Sequence, residues 1–296
     1  MDLVNNKCID MHTHSIYSDG ELEVDELIRR AIDNNVGILS ITDHDTLLGI
    51  KKVRNCCNYK EINIINGIEL SAKVDKGRMH ILGYDFDINN KQLNEKMDEL
   101  KVNSIYAIIA CLNQIKIDYN IRFKEDEIKD IINRRGNIGR PLVAKLIVKY
   151  GLAKSVDEAF DLYLTPAYSK TRINNKGIKD RECIDLIKGA NGLSVLAHPN
   201  QLLMDDCELE ETLKKLISYG LDGIEVYHSG HSPEEVEKYL NLANKYNLLI
   251  SAGSDYHGIN VKPDIEIGSG YKDNVKIKRL SLVDEIKRRK EWLLYT

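Results

Sequence analysis

The sequence predicts an α/β chain, a barrel of βα units carrying one helical insertion. Three observations lead there. Short apolar runs alternate with amphipathic segments towards both ends of the chain, the pattern of βα units and a mostly parallel sheet. The strand signal disappears between about Asn89 and Lys179, where helical patterns follow one another. A length of 296 residues suits one α/β barrel with a large core. The expected division is therefore 1–88 with 180–296 for the barrel and 89–179 for a helical cap.

Residues 8–14 read as the first strand and 23–34 as a helix, with Leu27, Ile28, Ala31 and Ile32 along one stripe. Residues 36–42, 62–70 and 79–86 read as the next three strands. In the insertion, helices are predicted over 90–114, 124–135, 141–150 and 155–164. Pro141 suits the first helical position, and Ser155 with Glu158 three residues later spells a capping box. Alternation resumes with a helix at 180–190, a strand at 193–198, a helix at 206–219, a strand at 223–227, a helix at 233–246 and a strand at 248–253. A terminal helix over 282–295 follows, with no internal repeat or low-complexity linker.

Lys plus Arg number 42 against 46 Asp plus Glu, a net charge of −4, which excludes a global positive field for bulk DNA binding. The Lys287-Arg288-Arg289-Lys290 run reads as a solvated helix end, where cations are favoured anyway. Residues 1–10 have neither a basic start nor an apolar core, and no segment has the apolar length of a membrane span, so a cytoplasmic protein is expected. Six cysteines without C-x-x-C spacing fit reduced thiols rather than a disulfide framework or thiolate zinc.

Residues at i and i+2 of an extended segment point the same way, so His12 and His14 can present two imidazoles to one ion, with the carboxylate of Asp19 five residues on. Asp43-His44 follows the second strand and Glu69 ends the third. His198 follows Ala197, and Asp255 and His257 follow Gly253-Ser254. In a parallel barrel the C-terminal strand ends form one face, where active sites are built. His80 is the exception, lying near a strand start. Six imidazoles and three carboxylates gathered this way would be costly to bury unpaired, so the set predicts a metal centre. Nitrogen and oxygen donors without thiolate favour Mn²⁺, Fe²⁺ or Zn²⁺. Nine donors exceed what one ion with an open position can use, which implies two or three ions. Three divalent ions against three carboxylates leave a net of about +3, a field suited to a phosphate dianion.

These residues resemble the PHP (polymerase and histidinol phosphatase) family through His12-x-His14, Ser18-Asp19-Gly20, Thr42-Asp43-His44, Gly67-Ile68-Glu69, Ala197-His198-Pro199 and Gly253-Ser254-Asp255-x-His257. The resemblance implies a distorted (β/α)7 TIM-like barrel with a trinuclear site. One ion would take His12, His14, Glu69 and Asp255, a second Glu69, His80 and His198, and a third Asp19, His44 and His257, with Glu69 bridging. The insertion and the Asn137-Ile138-Gly139-Arg140-Pro141 segment are similar to a branch of small metal-dependent phosphoesterases acting on nucleoside 3′,5′-bisphosphates and short 5′-phosphorylated RNA. Leu142 stands where that branch has a histidine after Arg-Pro.

The function these readings predict is hydrolysis of a small phosphorylated substrate, a nucleotide or short RNA, by in-line attack of a metal-bridging hydroxide. Asp43 is expected to orient a ligand or its strand end. His228 and His231 are expected either to protonate the leaving alkoxide or grip phosphate, or to cap the helix that starts at Pro233. Arg140 is either a phosphate clamp or a surface arginine at a helix N-terminus. The rival readings are a histidinol-phosphatase-like enzyme, an amidohydrolase of C–N bonds and a non-catalytic binding or scaffold barrel.

Overall fold

The computed structural model describes residues 6–56, 59–74, 76–171 and 177–293. The chain divides into two compact units, Met1–Asn94 with Ile178–Thr296, and Glu95–Gly177.

In the first unit seven strands follow one another around a single sheet in chain order: β1 (Cys8–Asp10), β2 (Val36–Ile41), β3 (Asn63–Ala72), β4 (Met79–Tyr84), β5 (Leu193–Leu196), β6 (Gly223–His228) and β7 (Leu249–Gly253). The sheet curls until its edges meet, for the Met11 amide donates to the Ala252 carbonyl (3.0 Å) and the Asp255 amide to that of His12 (2.8 Å). Strands β2 and β5 are buried along their whole length, which is why they read as largely apolar runs, broken only by Ser40 and Ser194, rather than as alternating ones. Ile9, Met11, Ile38, Ile65, Leu82, Tyr84 and Val195 form the apolar cluster beneath the functional end.

One strand departs from the predicted parallel order. β4 pairs antiparallel with both β3 (Ser71↔His80) and β5 (Ile81↔Leu196). Only residues 73–78 separate β3 from β4, and a parallel return needs a crossover of a dozen residues or more, so the link can close only as a hairpin. The reversal brings the start of β4, and His80 with it, to the end where its neighbours finish.

Helices cover this sheet. α1 (Val24–Asp33) buries Val24, Leu27, Ile28 and Ala31. α2 (Leu48–Cys56), absent from the sequence prediction, buries Ile50 and Val53. Beyond the inserted segment's helices α3 (Lys91–Tyr119), α4 (Glu125–Ile132), α5 (Arg140–Lys149), α6 (Val156–Ala159) and α7 (Thr165–Lys170) come α8 (Asp180–Gly189), α9 (Asp206–Ser218), α10 (Pro233–Tyr246) and α11 (Ser281–Leu293). The last residues of the predicted terminal helix lie outside the described residues. Its basic run is not a free patch: Arg288 pairs with Glu285 (2.7 Å), Lys290 with Asp85 (3.2 Å), and Arg289 donates to the Asn191 carbonyl. A two-residue-per-strand hairpin, β8 (Ile265–Glu266) and β9 (Gly270–Tyr271), was too short to show as periodicity.

The second unit is helical. Ile108, Cys111, Ile115, Ile138, Val143, Ile147 and Leu164 form its core. The helix predicted over 155–164 runs further, through α6, a π-helical turn at Phe160–Leu164 and α7. Only half of its predicted capping box forms: Ser155 Oγ accepts the Glu158 amide (3.1 Å), whereas the Glu158 carboxylate reaches the Lys154 amide. Among the described residues no helix is long and apolar enough to cross a membrane. Cys8, Cys111 and Cys183 are buried free thiols, and Cys207 is exposed.

Candidate metal centre

The site begins where β1 stops. The buried Asp10 carboxylate accepts the Ser254 amide (3.0 Å), the Ser254 hydroxyl (2.6 Å) and the Gly268 amide (2.7 Å), clamping the end of β1 to the end of β7. A Cβ at Gly253 would run into that of His12, so glycine there lets the two segments approach. The extended chain from Met11 to His14 then turns both imidazoles towards the barrel axis end. Asp43 holds the next turn, accepting the Ser15 amide (2.8 Å), the Ser15 hydroxyl (2.7 Å) and the Ser18 hydroxyl (2.7 Å). Both Asp43 oxygens are engaged in this way, so its carboxylate positions the loop bearing His14 and Asp19.

Glu69 is the hub. Its Oε2 lies 3.1 Å from His12 Nε2, 3.1 Å from His14 Nε2 and 3.2 Å from His44 Nδ1. Its Oε1 lies 2.8 Å from His80 Nδ1 and 3.0 Å from His198 Nε2. Asp255 Oδ1 stands 3.3 Å from His14 Nε2 and 3.6 Å from His12 Nε2. Asp19 Oδ1 stands 3.2 Å from His257 Nε2 and 3.5 Å from His14 Nδ1. All nine predicted donors are brought together, in four overlapping groups that could each hold an ion: His14, Asp19, His44 and His257; His12, Glu69 and His198; His12, His14 and Asp255; and His44, Glu69 and His80. Asp19 (31 %), His44 (17 %) and His80 (16 %) have the least buried side chains of the set and mark its open side.

Divalent ions fit these residues. His14 Nε2, His44 Nδ1 and Asp19 Oδ1 are buried without a hydrogen-bond partner although other donors lie within 3.5 Å, because the angles are wrong for hydrogen bonding. Leaving such atoms unfilled costs roughly 1–3 kcal/mol each. With metal–ligand bonds of about 2.1 Å, neighbouring ligand atoms stand about 3.0 Å apart in an octahedron and about 3.4 Å in a tetrahedron. The short donor contacts, from 2.8 Å (Glu69 with His80) to 3.6 Å (Asp255 with His12), are of that order.

The charges are strongly coupled. Burial alone would depress the His12 imidazole, but Glu225, Glu69 and Asp255 outweigh it and hold His12 well above its ordinary value. His14 is likewise raised to about 9 against burial, by Asp255, Glu69 and Asp19. Against their own burial, Glu69 is held well below the carboxylate range by His44, His12 and His80, and Asp255 by Lys262, His257 and His12. Burial pushes His44 down to about 3 and His198 down to about 4. Two donors sit in left-handed backbone that non-glycine residues rarely adopt, His198 (φ 23°) and Asp255 (φ 54°), strain of a kind that collects at functional sites.

Two residues escaped the sequence reading. Glu225, fully buried within β6, lies 2.9 Å from His12 Nδ1 through Oε1 and accepts the His198 amide through Oε2 (2.7 Å). One carboxylate thus orients two donors, and the signal for it was a lone acid inside a buried parallel strand. Lys262 pairs with Asp255 Oδ2 from a loop with no pattern to reveal it.

His228 reaches the cluster, its Nε2 standing 3.3 Å from Asp255 Oδ2. Its Nδ1 accepts the Gly230 amide (3.0 Å), so the neutral ring carries its proton on Nε2. His231 instead donates from Nδ1 to the Val226 carbonyl (2.8 Å) and packs 4.8 Å from the Tyr239 ring, and burial lowers it to about 4. Neither caps the following helix, whose capping box is Ser232 with Glu235. Arg140 lies in the helical unit at the start of α5, its guanidinium 4.6 Å above the Tyr168 ring, and the neighbouring Leu142 packs against that unit's core.

Comparison with known proteins adds an independent line. The profile of the PHP domain matches residues 10–227. Asp255 and His257 lie past that span, and the fold brings them to the same cluster. A 5′-3′ exoribonuclease Rnm of Escherichia coli (strain K12) is 29% identical over 265 residues, covering 88% of this chain and 87% of that protein. A 3′,5′-nucleoside bisphosphate phosphatase of Chromobacterium violaceum is 27% identical over 249 residues, covering 84% and 87%. A solved structure from Bifidobacterium adolescentis, provisionally described as a metal-dependent phosphoesterase, superposes with a TM-score of 0.74 at 27% identity over 90% of this chain and 93% of that one.

Proposed function

This chain belongs to the PHP domain family and is a metal-dependent phosphoesterase, a hydrolase of ester bonds, and from that premise we propose that it removes phosphate from nucleotides such as nucleoside 3′,5′-bisphosphates or acts at the 5′ ends of short RNA. The observation that carries this reading is the convergence of six imidazoles and three carboxylates, in which the buried donor atoms His14 Nε2, His44 Nδ1 and Asp19 Oδ1 have no hydrogen-bond partner. A site for two or three divalent ions, Mn²⁺, Fe²⁺ or Zn²⁺, is proposed on His12, His14, Asp19, His44, Glu69, His80, His198, Asp255 and His257. Ions held there supply Lewis acidity and lower the pKa of water at neutral pH.

The chain's own residues then divide the work. Glu69, within 3.2 Å of five imidazoles, ties the groups into one centre. Glu225 fixes the ring of His12 and the backbone of His198, as outer partners of ligating histidines do. Asp43 holds the loop bearing His14 and Asp19. His228 offers an Nε2–H beside Asp255, where it can donate to a departing oxygen. His231 supports His228 from behind, 5.0 Å away between ring centres. Arg140 is assigned to phosphate binding on the chemistry of its guanidinium. The buried free thiols support action in the reducing cytoplasm.

The test is to strip the protein with a chelator, reload it with each ion, count the ions bound and follow phosphate release. The substrates are a nucleoside 3′,5′-bisphosphate, a 5′-phosphorylated RNA oligomer, histidinol phosphate and a cyclic amide. Metal-dependent release from the nucleotide substrates is expected. Turnover of the amide with no phosphate released from any ester would overturn the reading.

A further inference from the structure

A pocket of about 340 Å³ lies against the donor cluster, within the barrel unit, walled by the ends of β6 and β7 and by the β8–β9 hairpin. Its position follows from one side chain. Asp255 turns Oδ1 towards His12 and His14 (3.6 and 3.3 Å) and Oδ2 towards His228 (3.3 Å) and Lys262, so its carboxylate is the partition between the proposed ion site and the pocket.

On the pocket side of that partition stand two donors. His228, its Nδ1 occupied by the Gly230 amide, turns its one N–H from Nε2 to Asp255 Oδ2 (3.3 Å) and so braces the partition. Lys262 donates to Asp255 twice, to Oδ2 and to the main-chain carbonyl (3.2 Å), and an ammonium has three N–H groups, which leaves one for a guest. The opposite wall is of another character. Ile265 and Pro263 are apolar, and Tyr271 is 40% exposed with Lys272 Nζ 4.9 Å from its ring centre. A cation with a spare N–H beside the proposed ion site, with an aromatic and aliphatic shelf further out, matches a sugar joined to a flat base.

Resting on the phosphoesterase reading above, we infer that this pocket holds the nucleoside part of the leaving group. Lys262 meets the sugar edge nearest the proposed ion site, and Tyr271 stacks the base. The volume is of the size that small-molecule sites occupy.

The experiment uses the full chain loaded with Mn²⁺. For wild type, Tyr271→Ala, Tyr271→Phe and Lys262→Gln it measures kcat/KM for adenosine 3′,5′-bisphosphate divided by kcat/KM for phenyl phosphate, together with calorimetric binding of adenosine 5′-monophosphate. The expected result is a ratio lowered about 10-fold in Tyr271→Ala, mostly through KM, with Tyr271→Phe restoring it. A fall of about 10-fold is expected in Lys262→Gln, whatever that change does to the absolute rates. Nucleotide binding should weaken in parallel. A ratio within about two-fold of wild type in both Tyr271→Ala and Lys262→Gln, with unchanged binding, would overturn the inference. An equal loss on both esters in Lys262→Gln, with Tyr271→Ala unaffected, would also overturn it by confining Lys262 to Asp255. Failure of the parent reading looks different: wild type then releases phosphate from neither ester, and the pocket is judged on binding alone, weakened in Tyr271→Ala if it holds the nucleoside and unchanged if it does not.

Discussion

In the barrel unit His12, His14, Glu69, Glu225 and Asp255 are buried in the same interior as Met11 and Leu82, whereas in the helical unit every buried side chain among the described residues is apolar, from Met97 to Ala167. Both interiors are dense, yet they resist different insults. The helical core buries no acid, base or imidazole among the described residues, so it loses stability chiefly when volume is removed. The barrel end is held by matched charges and hydrogen bonds, so it answers to protons, metals and single-atom substitutions.

The sharpest way to break that contrast is Glu69→Gln. It removes charge but little volume, and should lower metal-dependent phosphate release by more than about 100-fold, above the range shown by outer partners of a metal site, with bound metal falling in elemental analysis. Retained activity would remove Glu69 from the centre. Ile147→Ala applies the opposite insult in the helical core. It should cost about 2–5 kcal/mol in denaturant unfolding while leaving the number of ions bound unchanged. Glu225→Gln sits between them, with about 10–100-fold weaker metal binding expected in competition with a chelator.

The smallest effect is in pH. His12 and His14 are held above the ordinary 6.5, so without metal their contribution is complete below that value and drains away as pH rises towards about 9. His44 and His198, pushed down to about 3 and about 4, act in the other direction and cost stability as pH falls below 6.5. Glu69, Asp19 and Asp255, held well below their ordinary values, lose theirs on further acidification. Metal-stripped protein should therefore be most stable near pH 6.5 and melt about 5 °C lower at pH 9. Mn²⁺, which replaces those protons, should abolish the alkaline loss. An identical alkaline loss with and without Mn²⁺ would show that the ions bind elsewhere.

Much of this was legible before any coordinates. Apart from His80, the donors lie at or just beyond the ends of apolar runs, which is a pattern a sequence displays directly, and His12-x-His14 states its own geometry. Strand direction is not displayed: the run at Met79–Tyr84 looks the same either way, and only the shortness of residues 73–78 betrays the hairpin. Glu225 hid inside a strand because burial pattern says which residues are covered, not which neighbour covers them. Lys262 and Tyr271 come from loops and a two-residue strand, whose positions are set by tertiary packing alone.

The seam between β1 and β7 has a bearing on biosynthesis. Asp255 and His257 must find His12 and His14 across more than two hundred intervening residues, and the Asp255 amide is hydrogen-bonded to His12 itself. While a ribosome is still making the chain, its early histidines wait without their partners, and a translation product that stops before His257 lacks part of the proposed centre. Filling of the proposed centre thus becomes a late event, coupled to synthesis of the segment that follows β7.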